Sequence, residues 1–296
     1  AEETRRQLPA VPATQVFGEP RGRNTAPCIG LAAIRLLAVD PEAVMLVLPA
    51  DHVITTSEAF RASAETAAEL VLANPRRLVL FGISPSHAAT GFGYIQQGEP
   101  LDDIENGYHV ASFREKPDAT TASGYVESGD FFWNCGIFAW RADQVLALLE
   151  EYEPEMHQQL TLLREQIGQE TYEETLATEF PRMTSISIDH AVLERAPDVC
   201  VLAAPFEWDD VGRWEALARV IETDEEGNSK LGSVVTLDAG NCIVRSTADH
   251  LVAVVGVDEL VIVHTPDATL VANKHDEEAV RSVVRLLEDK GWTEYL

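Results

Sequence analysis

The sequence predicts an α/β protein with a doubly wound, mostly parallel sheet, followed by a smaller domain of β-structure. Three observations predict this fold class. Helical patterns alternate with short apolar strands through most of the chain, and one stretch forms a β-α-β unit. Near the C-terminus, short β-rich runs return about every nine or ten residues. With 296 residues, 46% of them hydrophobic, the chain can bury a large core.

The first strongly predicted helix is "NTAPCIGLAAIRLL". Asn24 or Thr25 can cap it, and Pro27 suits its first turn. The next element, "AVMLVLPADH", is continuously apolar as far as Pro49, which is typical of a strand that is covered on both faces. We therefore expect a central parallel strand here.

A second helix and strand complete the β-α-β unit. The pattern of "SEAFRASAETAAELVLA" predicts a helix, and "RLVLFGI" predicts the next strand. Ligands of doubly wound sheets bind at the carboxyl ends of the strands. Polar residues that directly follow strands are therefore the candidates for a functional site.

The C-terminal part has a different sequence pattern, with short β-rich runs in place of alternating helices and strands. The runs "GSVVTLD", "NCIVRS", "LVAVVGV", "LVIVHT" and "TLVANK" predict a small all-β domain or a few turns of a β-solenoid. The stretch "DEEAVRSVVRLLEDKG" predicts a final helix. We place the domain boundary in the polar segment "ETDEEGNSK", which divides the chain into residues 1–226 and 227–296.

Charge and composition exclude several classes of partner. The chain has 49 acidic against 22 basic residues and a formal charge of −27, so nucleic acid and anionic membranes would be repelled. It has no run of about 18 apolar residues and no signal-peptide pattern. Its four cysteines are far apart, which indicates free thiols. We expect a soluble cytoplasmic protein that binds small anions where positive charge is local, either as a monomer or as a homo-oligomer.

Acidic residues at two places in the chain are candidate metal ligands. Asp51 directly follows the apolar strand, and Asp209 and Asp210 lie in "FEWDDVGRWEAL" before a predicted helix. Asp51 is equally consistent with a turn or helix cap, and a lone acidic pair such as Asp209 and Asp210 is usually a cap. Two carboxylates at strand ends can instead share Mg²⁺, a hard cation that also binds phosphate oxygens.

Further candidates lie after, before or within other predicted strands. Glu115 and Lys116 in "SFREKPD" form either an ordinary surface ion pair or a pair that binds hydroxyl groups and phosphate. Gly91 and Gly93 in "TGFGYIQ" permit close approach of a ligand to the backbone, and a turn explains them equally well. Asn134 interrupts an aromatic strand and requires a hydrogen-bond partner.

The order of these motifs carries a family resemblance. It rests on seven stretches: "EPRGRNTAP", "LVLPADH", "TGFGYI", "FREKP", "FFWNCGIFAWR", "SISIDHAVLER" and "WDDVGRW". Together they resemble the sugar-nucleotide nucleotidyltransferases, and specifically the bacterial-type mannose-1-phosphate guanylyltransferases. The resemblance implies a Rossmann-like nucleotidyltransferase domain followed by a small β-helical domain.

The resemblance also implies a role for individual residues. Asp51 and Asp210 would bind Mg²⁺, and Lys116 would contact the sugar phosphate, which makes these three the catalytic residues. Asp209 departs from the small polar residue expected at its position, which leaves open which acid binds metal. The implied nucleotide-binding residues are Glu19, Pro20, Gly22, Asn24 and Thr25. The implied sugar-binding residues are Gly93, Glu115, Asn134 and Gly136.

The implied reaction is nucleotidyl transfer from GTP to mannose-1-phosphate, giving GDP-mannose and pyrophosphate. Catalysis would consist of positioning and charge neutralisation, without a protein nucleophile. The alternatives are a non-catalytic regulatory homologue that binds nucleotide sugars, and an inactive fragment. The family's first strand and glycine-rich phosphate loop have no counterpart in "AEETRRQLPAVPATQVFGEP". We therefore expect little turnover from these 296 residues alone, and about a hundredfold gain on addition of a glycine-rich segment upstream.

Overall fold

The computed structural model describes residues 2–102, 104–212 and 222–295. The chain forms two compact units. The first contains Ala1–Ala50 and Ile54–Glu207, and the second contains Asp51–Val53 and Trp208–Leu296. The helix predicted after Gly212 lies outside the described residues. The boundary between residues 226 and 227 stays a prediction.

The described residues of the first unit form seven α-helices, and the helix predicted at Asn24 is among them. Asn24 caps α2, with its Oδ1 accepting a hydrogen bond from Thr25 N at 2.8 Å. The helix predicted from "SEAFRASAETAAELVLA" is confirmed as α3. The helices are α1 (Glu2–Gln7), α2 (Thr25–Leu37), α3 (Ser57–Ala73), α4 (Ala119–Ser128), α5 (Ala142–Tyr152), α6 (Pro154–Gln166) and α7 (Tyr172–Glu179).

The main sheet of the first unit has six strands in the order β1-β6-β3-β7-β5-β4. Its strands are β1 (Val44–Val47), β3 (Leu78–Ile83), β4 (Tyr94–Pro100), β5 (Gly107–Arg114), β6 (Phe131–Arg141) and β7 (Val199–Ala203). The short strand β2 (Val53–Ile54) lies outside this sheet and pairs with β8 (Trp208–Asp209). The predicted α/β class is confirmed.

The sheet is mixed rather than mostly parallel as predicted. Among its described pairings only β3–β7 is parallel. The reason is the long strand β6, which runs antiparallel to β1, β3 and β4 and separates β1 from β3. The β1-α3-β3 unit therefore exists with both strands in the same direction, but another strand lies between them.

The prediction that the first strand is central in the sheet is also wrong. The apolar run predicts a central strand covered on both faces, yet β1 is the outermost strand of the described sheet and pairs with β6 alone. Met45 is buried, whereas Leu46 is 39% exposed. An unbroken apolar run does not distinguish a central strand from an outer one, because pairing depends on distant residues.

The core of the first unit lies where α2, α5 and α6 pack together and against the sheet. Ile34 and Trp140 are almost completely buried in it. Gly30 lets two helices approach closely, because a Cβ there would come within 2.5 Å of Leu160 Cδ1. This packing holds the N-terminus of α2 in a defined place relative to the sheet.

The second unit has the stacked parallel strands of a β-helix, as predicted. β9 pairs with β11 and β11 with β13 in parallel register, and β10 pairs with β12 in the same way. Asn228 is fully buried between coils, where its Nδ2 donates to Ala239 O and its Oδ1 accepts from Cys242 N, both at 2.9 Å. The strands are β9 (Ser229–Leu231), β10 (Val234–Leu237), β11 (Ile243–Arg245), β12 (Val252–Val255), β13 (Leu260–His264) and β14 (Thr269–Asn273).

The final helix, α8, spans Glu277–Lys290, which confirms the prediction. All four cysteines are free thiols, also as predicted. Within the described ranges, every helix is too short or too polar to cross a bilayer.

Candidate active site

Three of the residues implied in sugar binding meet where β4, β5 and β6 come together. Gly93 O accepts a hydrogen bond from Asn134 N at 2.8 Å. A Cβ on Gly93 would lie 2.6 Å from Glu115 Oε2 and 3.4 Å from Asn134 Cβ. The structure therefore brings Gly93, Glu115 and Asn134 into one cluster, which we call the β4–β6 cluster.

Gly136 belongs to the same cluster through the side chain of Asn134. Gly136 N donates to Asn134 Oδ1 at 3.1 Å. Its φ of 71° lies in the left-handed region, which glycine adopts without the steric cost that other residues meet. The other end of the amide, Asn134 Nδ2, donates to Asp189 Oδ1 at 2.8 Å. The partner that Asn134 was expected to require is thus a carboxylate.

Asp189 is a member of this cluster that the sequence reasoning missed. It begins a π-helical turn, Asp189–Leu193, a rare form that is frequent at functional sites. Burial raises the pKa of its carboxyl group, and the nearby charge of Glu115 raises it further. The only sequence signal was its place in the motif "SISIDHAVLER", since 55 residues separate it from Asn134.

Lys116 forms an ion pair with its neighbour in sequence. Lys116 Nζ lies 3.1 Å from Glu115 Oε1. The lysine side chain is 64% exposed, whereas that of Glu115 is 21% exposed. Lys116 also has a left-handed backbone, with φ of 42°, which is unusual for a residue with a side chain. The arrangement holds an accessible ammonium group beside the β4–β6 cluster.

The start of α2 is linked to the segment that leads to Asp189. Thr25 Oγ1 accepts a hydrogen bond from Ile188 N at 2.8 Å, and Ala26 N donates to Ile186 O at 3.1 Å. The implied nucleotide-binding residue Thr25 is therefore hydrogen-bonded to the residue that directly precedes Asp189 of the β4–β6 cluster. All of these contacts lie within the first unit.

The remaining nucleotide-binding candidates are exposed. Glu19, Pro20 and Gly22 all lie at the surface, and a Cβ on Gly22 would meet nothing within 4 Å. Partial burial raises the pKa of the Cys28 thiol, and the adjacent carboxylate of Glu19 raises it further. Arg23 is turned inward, where its guanidinium donates to Pro181 O.

The two implied metal ligands, Asp51 and Asp210, belong to the second unit. The strands β2 and β8 pair with each other, so Asp51 precedes one strand of this pair and Asp210 follows the other. His52 lies among the acids. Burial lowers the pKa of its imidazole, and the charges of Asp51, Asp210 and Asp209 act in the opposite direction.

His52 has a defined orientation. Its Nδ1 accepts a hydrogen bond from Trp208 Nε1 at 3.0 Å, so in the neutral ring the proton is on Nε2. Nε2 lies 3.9 Å from Asp51 Oδ1, and the Asp51 side chain is 84% exposed. The exposed carboxylate thus has oxygen atoms accessible to a cation.

Asp209 and Asp210 differ in their surroundings. Asp209 Oδ1 accepts a hydrogen bond from Val211 N at 2.9 Å, across a turn in which Val211 has φ of 46°. A Cβ on Gly212 would lie 2.7 Å from Asp210 Oδ2, so glycine leaves room for that carboxylate. In the part of the chain that the structure describes, no group of three or more His, Cys, Asp or Glu side chains is arranged to hold a metal ion.

Comparison with protein families agrees with this architecture. Residues 2–227 match the family model described as nucleotidyl transferase, and residues 232–287 match the MannoseP isomerase/GMP-like beta-helix domain. The chain therefore belongs to the nucleotidyl transferase family.

Individual relatives cover nearly all of the chain. It is 38% identical to the mannose-1-phosphate guanylyltransferase of Klebsiella pneumoniae, over 94% of this chain and 59% of that protein. It is 37% identical to the alginate biosynthesis protein AlgA of Pseudomonas putida, over 94% of this chain and 57% of that protein. The chain thus spans somewhat less than three fifths of the length of these relatives.

A solved structure has the same fold. It is the crystal structure described as mannose-1-phosphate geranyltransferase from Thermus thermophilus. The two chains are 32% identical and superpose with a TM-score of 0.81, over 97% of this chain and 81% of the other.

Proposed function

We propose that this protein is a mannose-1-phosphate guanylyltransferase, which transfers GMP from GTP to mannose-1-phosphate. The observation that carries the proposal is the β4–β6 cluster. Four residues that the sequence implied for sugar binding come from three separate strands or strand ends and contact one another there. Membership of the nucleotidyl transferase family supplies the reaction class. The proposed site is that of a small-molecule enzyme of the cytoplasm, with GTP and mannose-1-phosphate as its substrates.

The chemistry requires little beyond positioning. A phosphate oxygen of mannose-1-phosphate attacks the α-phosphorus of GTP, a P–O bond to the leaving pyrophosphate breaks, and GDP-mannose forms. Lys116 would bind the sugar phosphate through its accessible ammonium group. Glu115 and Asn134 would bind sugar hydroxyl groups through a carboxylate, which accepts hydrogen bonds, and an amide, which both accepts and donates them.

The base would bind at the N-terminus of α2. Glu19, Pro20, Gly22, Asn24 and Thr25 are the proposed contacts, and all five are exposed. Asn24 has φ of 67°, which turns the backbone sharply just before the helix. A nucleoside seated on this turn would meet backbone groups of the helix start as well as polar side chains.

The proposed divalent cation is Mg²⁺, held by Asp51 and Asp210. Carboxylate oxygens are the donors that this hard cation prefers, and both acids lie near His52 in the second unit. When bound, Mg²⁺ offsets the charge of the phosphate oxygens during transfer. Asp209 is the less suitable ligand, because one of its oxygens accepts the Val211 N–H.

Ligand binding tests the proposal without requiring turnover. Isothermal titration with GDP-mannose, GDP-glucose, UDP-glucose and GDP separates recognition of the base from recognition of the sugar. We expect GDP-mannose to bind at least about tenfold more tightly than either glucose nucleotide. Equal binding of all three sugar nucleotides would contradict the proposed substrate.

A pyrophosphate-release assay then separates enzyme from binding protein. Release that needs GTP, mannose-1-phosphate and Mg²⁺ together supports the enzyme. Selective binding of GDP-mannose without any release supports the non-catalytic alternative, a nucleotide-sugar-binding regulatory homologue, only if release is also absent after a glycine-rich segment is added upstream. Release that returns on that addition identifies the 296 residues as an inactive fragment of the enzyme. ATP and UTP serve as nucleotide controls in the same assay.

A further inference from the structure

We propose that Asp189 is a positioning residue, which orients the Asn134 side-chain amide for sugar binding. The inference rests on the proposed function and assigns a role to a residue outside the implied sugar-binding set. Asn134 Nδ2 donates to Asp189 Oδ1 at 2.8 Å, and Asn134 Oδ1 accepts from Gly136 N at 3.1 Å. Each end of the amide therefore has one fixed intramolecular partner.

The identity of these partners determines which way the amide points. An ionised carboxylate only accepts hydrogen bonds and a backbone N–H only donates them, so the flipped amide would face two mismatched groups. In the observed orientation Asn134 keeps one N–H and one oxygen lone pair for a ligand. A sugar with adjacent hydroxyl groups can use both at once.

The main chain at Asp189 is itself held firmly. It is at the start of a π-helical turn, in which Glu194 N donates to Asp189 O at 3.0 Å. On its N-terminal side, Ile188 N donates to Thr25 Oγ1 at 2.8 Å. Because these two anchors use the main chain of residues 188 and 189, they persist when the Asp189 side chain is changed.

The side chain and the main chain of this segment thus have separate roles. Backbone groups of Ile186 and Ile188 hold the start of α2, where the nucleoside would bind. The Asp189 carboxylate contacts the amide of Asn134 instead. Loss of the carboxylate should therefore affect recognition of the sugar and leave recognition of the base unchanged.

The test compares GDP-mannose with GDP on Asp189→Ala and Asp189→Asn, using titration calorimetry on the whole chain. We expect Asp189→Ala to weaken GDP-mannose binding about tenfold and to leave GDP binding within about twofold. Asn keeps an acceptor oxygen, so Asp189→Asn should stay within about threefold of wild type for both ligands.

A double variant shows whether the effect passes through Asn134. Asn134→Ala should weaken GDP-mannose binding about as much as Asp189→Ala, and the two changes together should add little more. Asp118→Ala is the matched control, because Asp118 Oδ1 accepts from Thr121 N at the start of α4, in a local helix cap. That variant should bind both ligands as wild type does.

The outcomes distinguish the inference from the function on which it rests. Wild-type protein that binds no GDP-mannose overturns both. Wild-type binding with Asp189→Ala unchanged, or with GDP weakened equally, overturns the positioning role alone. If Asp189→Ala fails to fold, the folded Asp189→Asn variant decides. A tenfold loss of GDP-mannose binding in it overturns the positioning role, because Asn keeps the acceptor oxygen and has lost only the charge.

Discussion

A methyl group on Gly93 would lie 2.6 Å from Glu115 Oε2, which is closer than real Cβ contacts allow. The carboxylate of Glu115 therefore occupies the space that any other residue at position 93 would fill. The same carboxylate pairs with Lys116 at 3.1 Å. Glycine at position 93, just before β4, thus leaves free the space that the carboxylate paired with Lys116 occupies.

The first prediction follows from that close approach. In Gly93→Ala, the Glu115 carboxylate must leave its present position beside residue 93, and we expect GDP-mannose binding to weaken about tenfold while GDP binding is retained. Gly124→Ala in α4 is the matched control, since a Cβ there meets nothing within 4 Å. Titration calorimetry measures both. Unchanged affinity for GDP-mannose in Gly93→Ala would remove Glu115 from the proposed sugar site.

The second prediction concerns pH and stability. The pKa of the Asp189 carboxyl is raised in the folded protein, first by burial and then by Glu115. The folded state therefore binds this proton more tightly than the unfolded state does. The stabilising contribution is complete below the unfolded pKa of about 3.9 and is lost as the pH rises through the higher folded pKa.

Asp189→Asn has no such proton, so its stability relative to wild type should rise as the pH increases through that window. Urea unfolding of both proteins from about pH 4 to about pH 8, a range that begins near the unfolded pKa, measures the difference. Asp118→Asn controls for charge, because hydrogen bonds from Thr121 lower the pKa of Asp118. A difference between Asp189→Asn and wild type that is constant across this range would show that the carboxyl titrates normally.

The third prediction separates the three aspartates near His52. We expect Asp51→Asn and Asp210→Asn each to weaken binding of Mn²⁺, used as a spectroscopic substitute for Mg²⁺, at least about tenfold. Asp209→Asn should have an effect of about twofold or less, because Asn can still accept the Val211 N–H that Asp209 accepts now. Electron paramagnetic resonance of free Mn²⁺ gives the affinities. A larger loss in Asp209→Asn than in Asp210→Asn would reverse the assignment.

The fourth prediction uses Cys28 as a reporter of the proposed nucleoside site. Cys28 is exposed, whereas the other three cysteines are buried, and burial raises the pKa of Cys135 and Cys200 to about 12. Iodoacetamide should therefore label Cys28 first. GDP should slow this labelling about fivefold or more, because Cys28 lies in the first turn of α2 beside the proposed base contacts.

A charge variant provides the second arm of that experiment. The Glu19 carboxylate raises the pKa of the Cys28 thiol, so Glu19→Gln should lower that pKa and speed labelling at neutral pH about threefold. Cys28→Ser is the control for labelling elsewhere. If GDP leaves the rate of Cys28 labelling unchanged, the nucleoside binds away from the start of α2.

The sequence by itself determined the elements whose causes are local. Asn24 and Pro27 predicted the start of α2 through capping and first-turn geometry, which involve only neighbouring residues. The nine- to ten-residue spacing of the β-rich runs predicted a small all-β domain or a few turns of a β-solenoid, and the second unit has the parallel stacked strands of the latter. Motif order further supplied the residues Gly93, Glu115, Asn134 and Gly136, but not the contacts among them.

Only the tertiary structure decided the order of the strands and the membership of the site. The insertion of β6 between β1 and β3 depends on hydrogen bonds between strands that are distant in sequence. A local apolar pattern contains no information about such pairing. The bond from Asn134 to Asp189 spans 55 residues, and the bond from Trp208 to His52 spans 156. The packing of whole helices and strands selects such partners, because these contacts form only when distant segments meet. The conformational preferences of a residue act over only a few neighbouring residues and do not specify them.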